Sequence, residues 1–306
     1  MTASTNIASD TIPLKGLMLL MALTLLWGLN WPFMKTALNE IPVWWFRTIC
    51  LFVGGFSLLL IAALSRQVVI PTKAEIKPLV FCIIFNILGW HLFSAYGVTL
   101  LPAGRAVIIA FTMPIWASIL GSIFLNEPLT KAKITALVLG MSGLGVLIGP
   151  DLISVQSSPI GALCMLGAAI TWACGTVIFK KTQWRASTSA LAGWQLTIGG
   201  IPIAMGAVLF EQPFDPHEIS PQAYYSLGYV LAFPMIFCQW AYFKSVRTFP
   251  ASIAAMSTLG IPVVGAFSSA LILGEHLGYR EFASLILICA ALAAVLVLPS
   301  LSKNKT

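Results

Sequence analysis

The sequence predicts an all-α polytopic membrane protein, with ten transmembrane helices arranged as two inverted five-helix repeats. Three observations carry this. Of 306 residues, 58% are hydrophobic and only 9% are charged, whereas soluble domains carry about 25% charged residues. The apolar residues fall into ten stretches, each close to the ~20 residues that a span requires. Landmarks of the first half also recur in the second half at a fixed spacing.

The first stretch, 15–36, follows a polar or small segment, Met1 to Ile12, with neither a basic region nor a cleavage motif. It therefore reads as a retained helix and not as a cleaved signal peptide. Trp27 and Asn30 fall just beyond its middle. The second stretch, 42–64, opens on Trp44 and Trp45, which suit interface anchoring, and holds Arg47 about one turn in. At that depth a long basic side chain can snorkel to the surface, form a structural ion pair or attract a carboxylate. The third, 77–98, places Asn86, Trp90 and His91 on one broad helical face near mid-membrane, with Tyr96 near the outside. The fourth, 103–125, has Pro114 in mid-span, carries Trp116 and closes at Glu127. The fifth, 132–149, contains Gly145 and Gly149 as a GxxxG pair.

The sixth stretch, 159–179, carries Trp172. Trp184 follows it at a depth that fits an interfacial belt. The seventh, 188–210, carries Trp194 and Gln195. The eighth, 222–244, carries Gln239, Trp240 and Tyr242. The ninth, 251–273, has Ser257 and Thr258, then Pro262, and closes at Glu275. The tenth, 279–298, has Ala290 and Ala294 as a small-xxx-small pair. Small faces of this kind allow close helix contact, either inside the bundle or across a homodimer seam.

Short breaks such as Arg66 to Lys77 and Glu211 to Pro221 separate the spans and leave no room for a soluble catalytic domain. No HExxH, GxSxG or mid-membrane carboxylate pair suggests an intramembrane enzyme, and no GxxxxGK[ST] suggests ATP hydrolysis. The six cysteines all lie in apolar runs without a CxxC, so they read as packing residues, with no metal or cofactor expected. The basic residues are scattered and do not form a nucleic-acid patch. They act instead as topology signals. With the N-terminus in the cytoplasm, only Lys35, Arg47, Arg105 and Arg280 of the 17 basic residues fall on the outer side. Both termini are then cytoplasmic, as an even number of spans requires, in a bacterial-type inner membrane.

Pro102, Pro114 and Glu127 recur as Pro250, Pro262 and Glu275, each 148 positions on (250 − 102, 262 − 114, 275 − 127). Gly16, Trp27 and Lys35 recur as Gly161, Trp172 and Lys180, each 145 on (161 − 16, 172 − 27, 180 − 35). The halves are therefore 15–149 and 159–298. Five helices is an odd number, so the second copy enters the membrane inverted, an arrangement typical of secondary transporters with a midplane site.

The first half reads LLPAGRAVIIAFTMPIWASILGSIFLNEPLT, and the second TFPASIAAMSTLGIPVVGAFSSALILGEHL. A Pro-Ala helix start, a mid-helix Pro and a closing Leu-Asn-Glu or Leu-Gly-Glu resemble the EamA repeat of the drug/metabolite transporter superfamily. The opening LLWGLNWPFMK resembles the start of that repeat, and Arg47 fits a position that is often Arg. Within the family, the YddG-type amino-acid exporters are the nearest likeness. The resemblance implies export of amino acids or related metabolites through a central cavity, with the fifth and tenth helices outside it. Asn126 where Gly274 stands, and Ala173 after Trp172, depart from the pattern and imply halves of unequal function.

Polar and aromatic groups at depth are the candidates for substrate contact, because such groups are costly in lipid. His91 corresponds to Gln239 in the 148 frame and is read as the opposite wall of one cavity. Its imidazole could also carry a coupling proton. Trp27, Trp90, Trp116, Trp172 and Trp240 lie too deep for a belt; they either pack the bundle or offer flat surfaces to organic solutes. Asn30, Asn86, Tyr96, Gln195, Tyr242 and Ser257 complete the proposed lining. Pro114 and Pro262, with Glu127 and Glu275 at helix ends, read as gating elements. The expected activity is alternating access for amino acids. Drug or sugar-type solutes, or a passive channel, are the alternatives.

Overall fold

A computed structural model describes residues 14–100, 109–153, 159–212, 215–273 and 278–294. Among these the secondary structure is helical throughout, without a strand. Among the described residues, seven stretches are long and apolar enough to cross a membrane, including Val43–Leu64, Pro159–Lys181 and Pro221–Thr248. Large apolar side chains such as Met18, Phe56, Leu163, Val208 and Ile286 point outward. In water such a surface would be untenable, but in lipid it is the expected exterior.

The first span is two helices, α1 (Leu14–Gly28) and α2 (Asn30–Leu38). Pro32 has no N–H to give the Gly28 carbonyl, and the helix is interrupted at Leu29. Helix α3 (Val43–Leu64) ends on Arg66 in the left-handed region at φ 52°. A capping box formed by Thr72 and Glu75 starts α4 (Lys73–Cys82). A π-helical stretch, Ile83–Gly89, then leads into α5 (Trp90–Leu100). Helix α6 (Met113–Leu125) and the long α7 (Lys131–Ile153) complete the first half.

In the second half, α8 (Pro159–Lys181) is followed by α9 (Thr188–Phe210), whose first turn is capped by Ser187 Oγ. Helix α10 (Pro221–Val230), a second π stretch (Leu231–Cys238) and α11 (Gln239–Thr248) form one continuous rod. Then come α12 (Ala251–Ser257), a 3₁₀ turn (Thr258–Gly260), α13 (Ile261–Leu273) and α14 (Tyr279–Leu292).

Element starts repeat at the spacings found for single residues. Lys73 and Pro221, Ile83 and Leu231, Met113 and Ile261, and Lys131 and Tyr279 are each 148 apart (221 − 73, 231 − 83, 261 − 113, 279 − 131). Leu14 and Pro159, and Val43 and Thr188, are each 145 apart (159 − 14, 188 − 43). The contacts are reciprocal as well. Helix α5 lies on α8, while α10 lies on α2 and α11 on α1. Helix α3 crosses α9, and α7 pairs with α14.

Several expectations change in detail. Pro114 and Pro262 do more than bend a continuous helix. A turn at Phe111–Thr112 precedes Met113, and a 3₁₀ turn precedes Ile261, so each helix stops and restarts before its proline. The reason is local, because neither proline can donate to the carbonyl four residues back. Within the chain, Gly145 of the GxxxG pair on α7 makes no helix contact. A side chain on Gly145 would meet nothing, whereas Gly140 and Gly143 abut Leu259 and Ile288. On α14, Ala290 is exposed, and Ala291 and Ala294 make the contact. Trp184 is not a belt residue: it is buried, and its Nε1 donates to the Phe179 carbonyl at 2.7 Å.

Asn126, where the repeat predicts Gly, sits at φ 55° as the C-cap of α6. Asparagine tolerates this left-handed conformation better than most residues. The chain then folds back, with Glu127 N–H bonded to the Gly121 carbonyl at 3.1 Å. That turn aims the Glu127 carboxylate at the other half, where Oε1 accepts the Ala251 N–H at 2.6 Å. The Leu-Asn-Glu motif is thus a helix stop followed by a clasp.

Candidate functional site

At the centre of the bundle Trp172 on α8 is the hub of four aromatic rings. Its centroid lies 6.3 Å from Trp27 on α1, 5.3 Å from Trp90 at the start of α5 and 5.3 Å from Tyr242 on α11. Trp27 and Tyr242 also meet, at 6.1 Å. Each half supplies two of the four rings, and the two equivalent tryptophans of the 145 frame touch each other. The polar edges of Trp172 and Tyr242 are satisfied beside each other. Trp172 Nε1 donates to Tyr242 OH at 2.9 Å. Thr176 Oγ1 donates to the Trp172 carbonyl at 2.9 Å, so its 2.7 Å bond with Tyr242 must receive the tyrosine proton.

Around this hub the other candidates divide. Trp116 packs on Ala173 and Ala255, joining three helices, and its Nε1 donates to Thr112 Oγ1 at 3.2 Å. Trp240 lies beside Phe237 at the edge of the same core. Gln239 directly follows the second π stretch, is buried, and leaves Oε1 without a partner. His91 sits one residue past the matching π stretch with Nδ1 buried and unpartnered. Asn30 leaves Oδ1 in the same condition. π-Helical insertions are frequent at functional sites because they redirect side chains and loosen the ladder.

Other candidates are placed differently. Asn86 and Gln195 are fully buried and bonded to each other at 3.2 Å; Asn86 fills the space above Gly175, and its Oδ1 too has no partner. They seal α8 and α9 against the third span. Ser257 donates to the Ala254 carbonyl, and its own carbonyl accepts Thr24 Oγ1. It lines an apolar groove of about 250 Å³ between α1, α13 and α14. Tyr96 is 54% exposed, unlike the buried hub. Glu275 lies outside the described residues. Replacing Asn86 by alanine should therefore cost stability and spare substrate affinity. An interhelical bond of this kind averages about 0.6 kcal/mol, and the orphaned Gln195 amide adds to that. Thermal unfolding in detergent, set beside the KM of the variant, measures both.

A second cavity, of about 460 Å³, opens at one end of the bundle between Asn126, Glu127, Lys180, Lys181 and Thr248. Glu127 Oε2 also pairs with Lys133 at 3.6 Å. Lys180 Nζ donates to the Arg247 carbonyl at 3.2 Å. The rims are held by carboxylates reaching across the halves to helix N-termini, where unbonded N–H groups favour negative charge. Glu75 Oε1 accepts from Arg185 N–H and, at 3.1 Å, from Ala186 N–H ahead of α9. Glu211 accepts from Trp44 and Trp45 N–H at 2.9 and 3.2 Å. Glu40 accepts from Ser220 N–H and Oγ at 2.6 and 2.7 Å, and these bonds hold its carboxyl below the ordinary range.

Sequence reasoning passed over Thr176, Glu40, Glu75 and Glu211. Only the Thr72–Glu75 capping box carried a local signal. Arg47 does not snorkel. Its Nη1 donates to the His91 carbonyl at 2.7 Å, turning the side chain toward the third span.

Residues 14–149 and 159–297 each match the EamA-like transporter family. The chain belongs to that family. Its EamA-family relatives include the uncharacterized transporter YvbV of Bacillus subtilis, 30% identical over 278 residues, covering 91% of this chain and 90% of YvbV. The uncharacterized transporter YoaV of the same organism is 28% identical over 277 residues, covering 89% of this chain and 94% of YoaV. A Salmonella typhimurium protein named as a probable amino-acid metabolite efflux pump is 25% identical over 282 residues, covering 90% of this chain and 92% of the pump. A chain in a solved crystal structure shares the fold with a TM-score of 0.80 at 17% identity, covering 92% of this chain and 98% of that one. This EamA-family chain is thus a multi-pass membrane transporter for small molecules.

Two polar candidates outside the ring cluster each leave a buried atom without a partner. His91→Ala and Gln239→Ala are each expected to slow uptake about 5- to 10-fold, the worth of one or two lost hydrogen bonds, while the protein still reaches the membrane. Normal kinetics in both variants would remove them from the pathway.

Proposed function

We propose that this EamA-family protein is a secondary carrier that exports amino acids or related small metabolites across the bacterial inner membrane by alternating access. The reading takes the chain as ten spans in two inverted five-helix repeats, with both termini cytoplasmic. One observation carries it: the aromatic hub is assembled in equal parts from both halves, with Trp27 against Trp172. A centre divided in this way opens when one half rocks against the other, to whichever side the rims release. The repeated element starts, the reciprocal helix contacts and the name of the Salmonella relative support the same reading.

In this account the cavity beside Lys180 and Lys181 is the cytoplasmic mouth. Solute passes from it to Trp27, Trp90, Trp172 and Tyr242, with Trp116, Trp240, His91, Gln239 and Asn30 around them. Flat aromatic surfaces take up the apolar part of an amphipathic solute and attract its ammonium group. The broken helices at Pro114 and Pro262 are the hinges. Glu127, and Glu275 as its counterpart, hold the inner and outer rims shut in turn.

The test is export from cells. Bacteria fed dipeptides accumulate free amino acids; cells making this protein should release one class of them faster than cells making the Trp172→Ala variant at equal abundance. Equal release for every amino acid would contradict the assignment.

A further inference from the structure

The two arginines at the heart of the bundle's polar contacts are unequally satisfied. Arg247 spends its guanidinium on three acceptors: Nη1 on the Ala186 carbonyl and Thr188 Oγ1, and Nη2 on the Trp184 carbonyl, each at 3.2 Å. It ties α11 to the turn between α8 and α9 and has a structural task. Arg47 has five donor hydrogens, as any guanidinium does. Among the described residues it makes one hydrogen bond, to the His91 carbonyl at 2.7 Å, and forms no ion pair with a carboxylate.

A charge turned inward from one turn inside a span is costly without a partner or water. Arg47 as a whole residue is half-buried, whereas Asn86 and Gln195 are fully buried and bonded to each other. The residue whose carbonyl it grips also presents a buried ring nitrogen, His91 Nδ1, with no partner. A guanidinium with spare donors, bonded to the very residue that carries an unfilled imidazole nitrogen, matches a planar anion that can take two parallel N–H bonds.

We propose that Arg47 is the carboxylate-binding subsite of the transport pathway, gripping the carboxylate of an organic anion or zwitterion while His91 Nδ1 meets a neighbouring polar group. This rests on the carrier reading above and narrows its substrates to solutes bearing a carboxylate. The ammonium or apolar end would then extend toward the rings of Trp90 and Trp172. Lysine at this position would supply charge without the fork, and glutamine would supply neither charge nor fork.

The experiment uses proteoliposomes loaded with an equimolar mixture of the twenty amino acids. Each labelled amino acid is offered in turn, and any that accumulates is compared with its own carboxamide. In the wild-type protein the carboxamide should be poorer by about 30-fold or more in KM, as expected when one member of a buried charge pair is removed. Arg47→Gln should raise the KM of the amino acid by a similar factor and leave the carboxamide unchanged, erasing the preference. Arg47→Lys should restore part of it. Equal handling of acid and carboxamide by the wild-type protein would overturn the subsite, as would a preference that survives in Arg47→Gln. If Arg47→Gln does not fold, the wild-type comparison and Arg47→Lys decide the matter. Accumulation of no amino acid by folded wild-type protein would instead overturn the carrier reading, and the subsite with it.

Discussion

Trp172→Ala is expected to lower transport about 30-fold or more in protein that still reaches the membrane. Trp172 makes three ring contacts, and aromatic pairs are worth about 0.5–1.5 kcal/mol each. Their joint loss corresponds to about 1.5–4.5 kcal/mol, whose midpoint exceeds a 30-fold factor. The finer substitutions should rank in a definite order. Trp172→Phe keeps a ring and removes a donor, leaving Tyr242 OH free to serve Thr176. Tyr242→Phe instead strands the buried Trp172 Nε1. An orphaned buried donor costs about 1–3 kcal/mol, more than a lost acceptor contact. Tyr242→Phe should therefore be the more harmful of the two, both in initial transport rate and in thermal stability. The reverse order would mean that the ring, and not its hydrogen bonding, sets the hub.

Gly193→Leu should prevent accumulation of folded protein altogether. At the crossing of α3 and α9 the two backbones nearly touch. A Cβ on Gly193 would lie 2.9 Å from the Gly55 carbonyl oxygen and 3.0 Å from the Leu59 amide nitrogen. A Cβ on Gly55 would lie 3.0 Å from the Gly193 carbonyl and also collide with Thr197. Backbone atoms have no rotamer to change, so the helices must separate. Overpacking a good fit costs about 1–3 kcal/mol and sometimes more, and here it opens the seam between the halves. Gly145→Leu is the control, since nothing lies near that position. The yield of monodisperse protein in detergent separates the two. Equal yields would show that this crossing is dispensable.

The same pair of glycines shows what the sequence could and could not convey. Span positions were readable because hydropathy reports depth, and the repeat was readable because Pro114, Pro262, Trp27 and Trp172 keep their spacing. The frame even paired two tryptophans that meet in space. Depth is not azimuth, however. The sequence offered Asn86, Gln195 and Gln239 together as cavity lining, yet the first two face each other across a sealed contact. It likewise favoured Gly145 over Gly55 and Gly193, because a GxxxG spacing does not say which side of a helix has a neighbour. Trp184 lay at the right height for a belt but is turned inward by a bond to the Phe179 carbonyl in the last turn of α8. The inward swing of Arg47 depends on the His91 carbonyl beside a π stretch that no residue pattern announces.

The Glu127 clasp illustrates the opposite case. Its motif was visible, its spacing repeated, and its purpose followed only when Ala251 N–H was seen within reach. Removing that carboxylate would break this contact between the halves while leaving the hub's own contacts in place.

Counterflow in proteoliposomes tests the central claim most directly. Vesicles are preloaded with unlabelled amino acids, and entry of a trace of each labelled one is followed with time. A carrier that alternates around one shared site must show transient accumulation of its substrates above equilibrium, and Trp172→Ala must abolish it. Simple equilibration without overshoot, at a rate that does not saturate, would contradict alternating access and mark the protein as a passive channel.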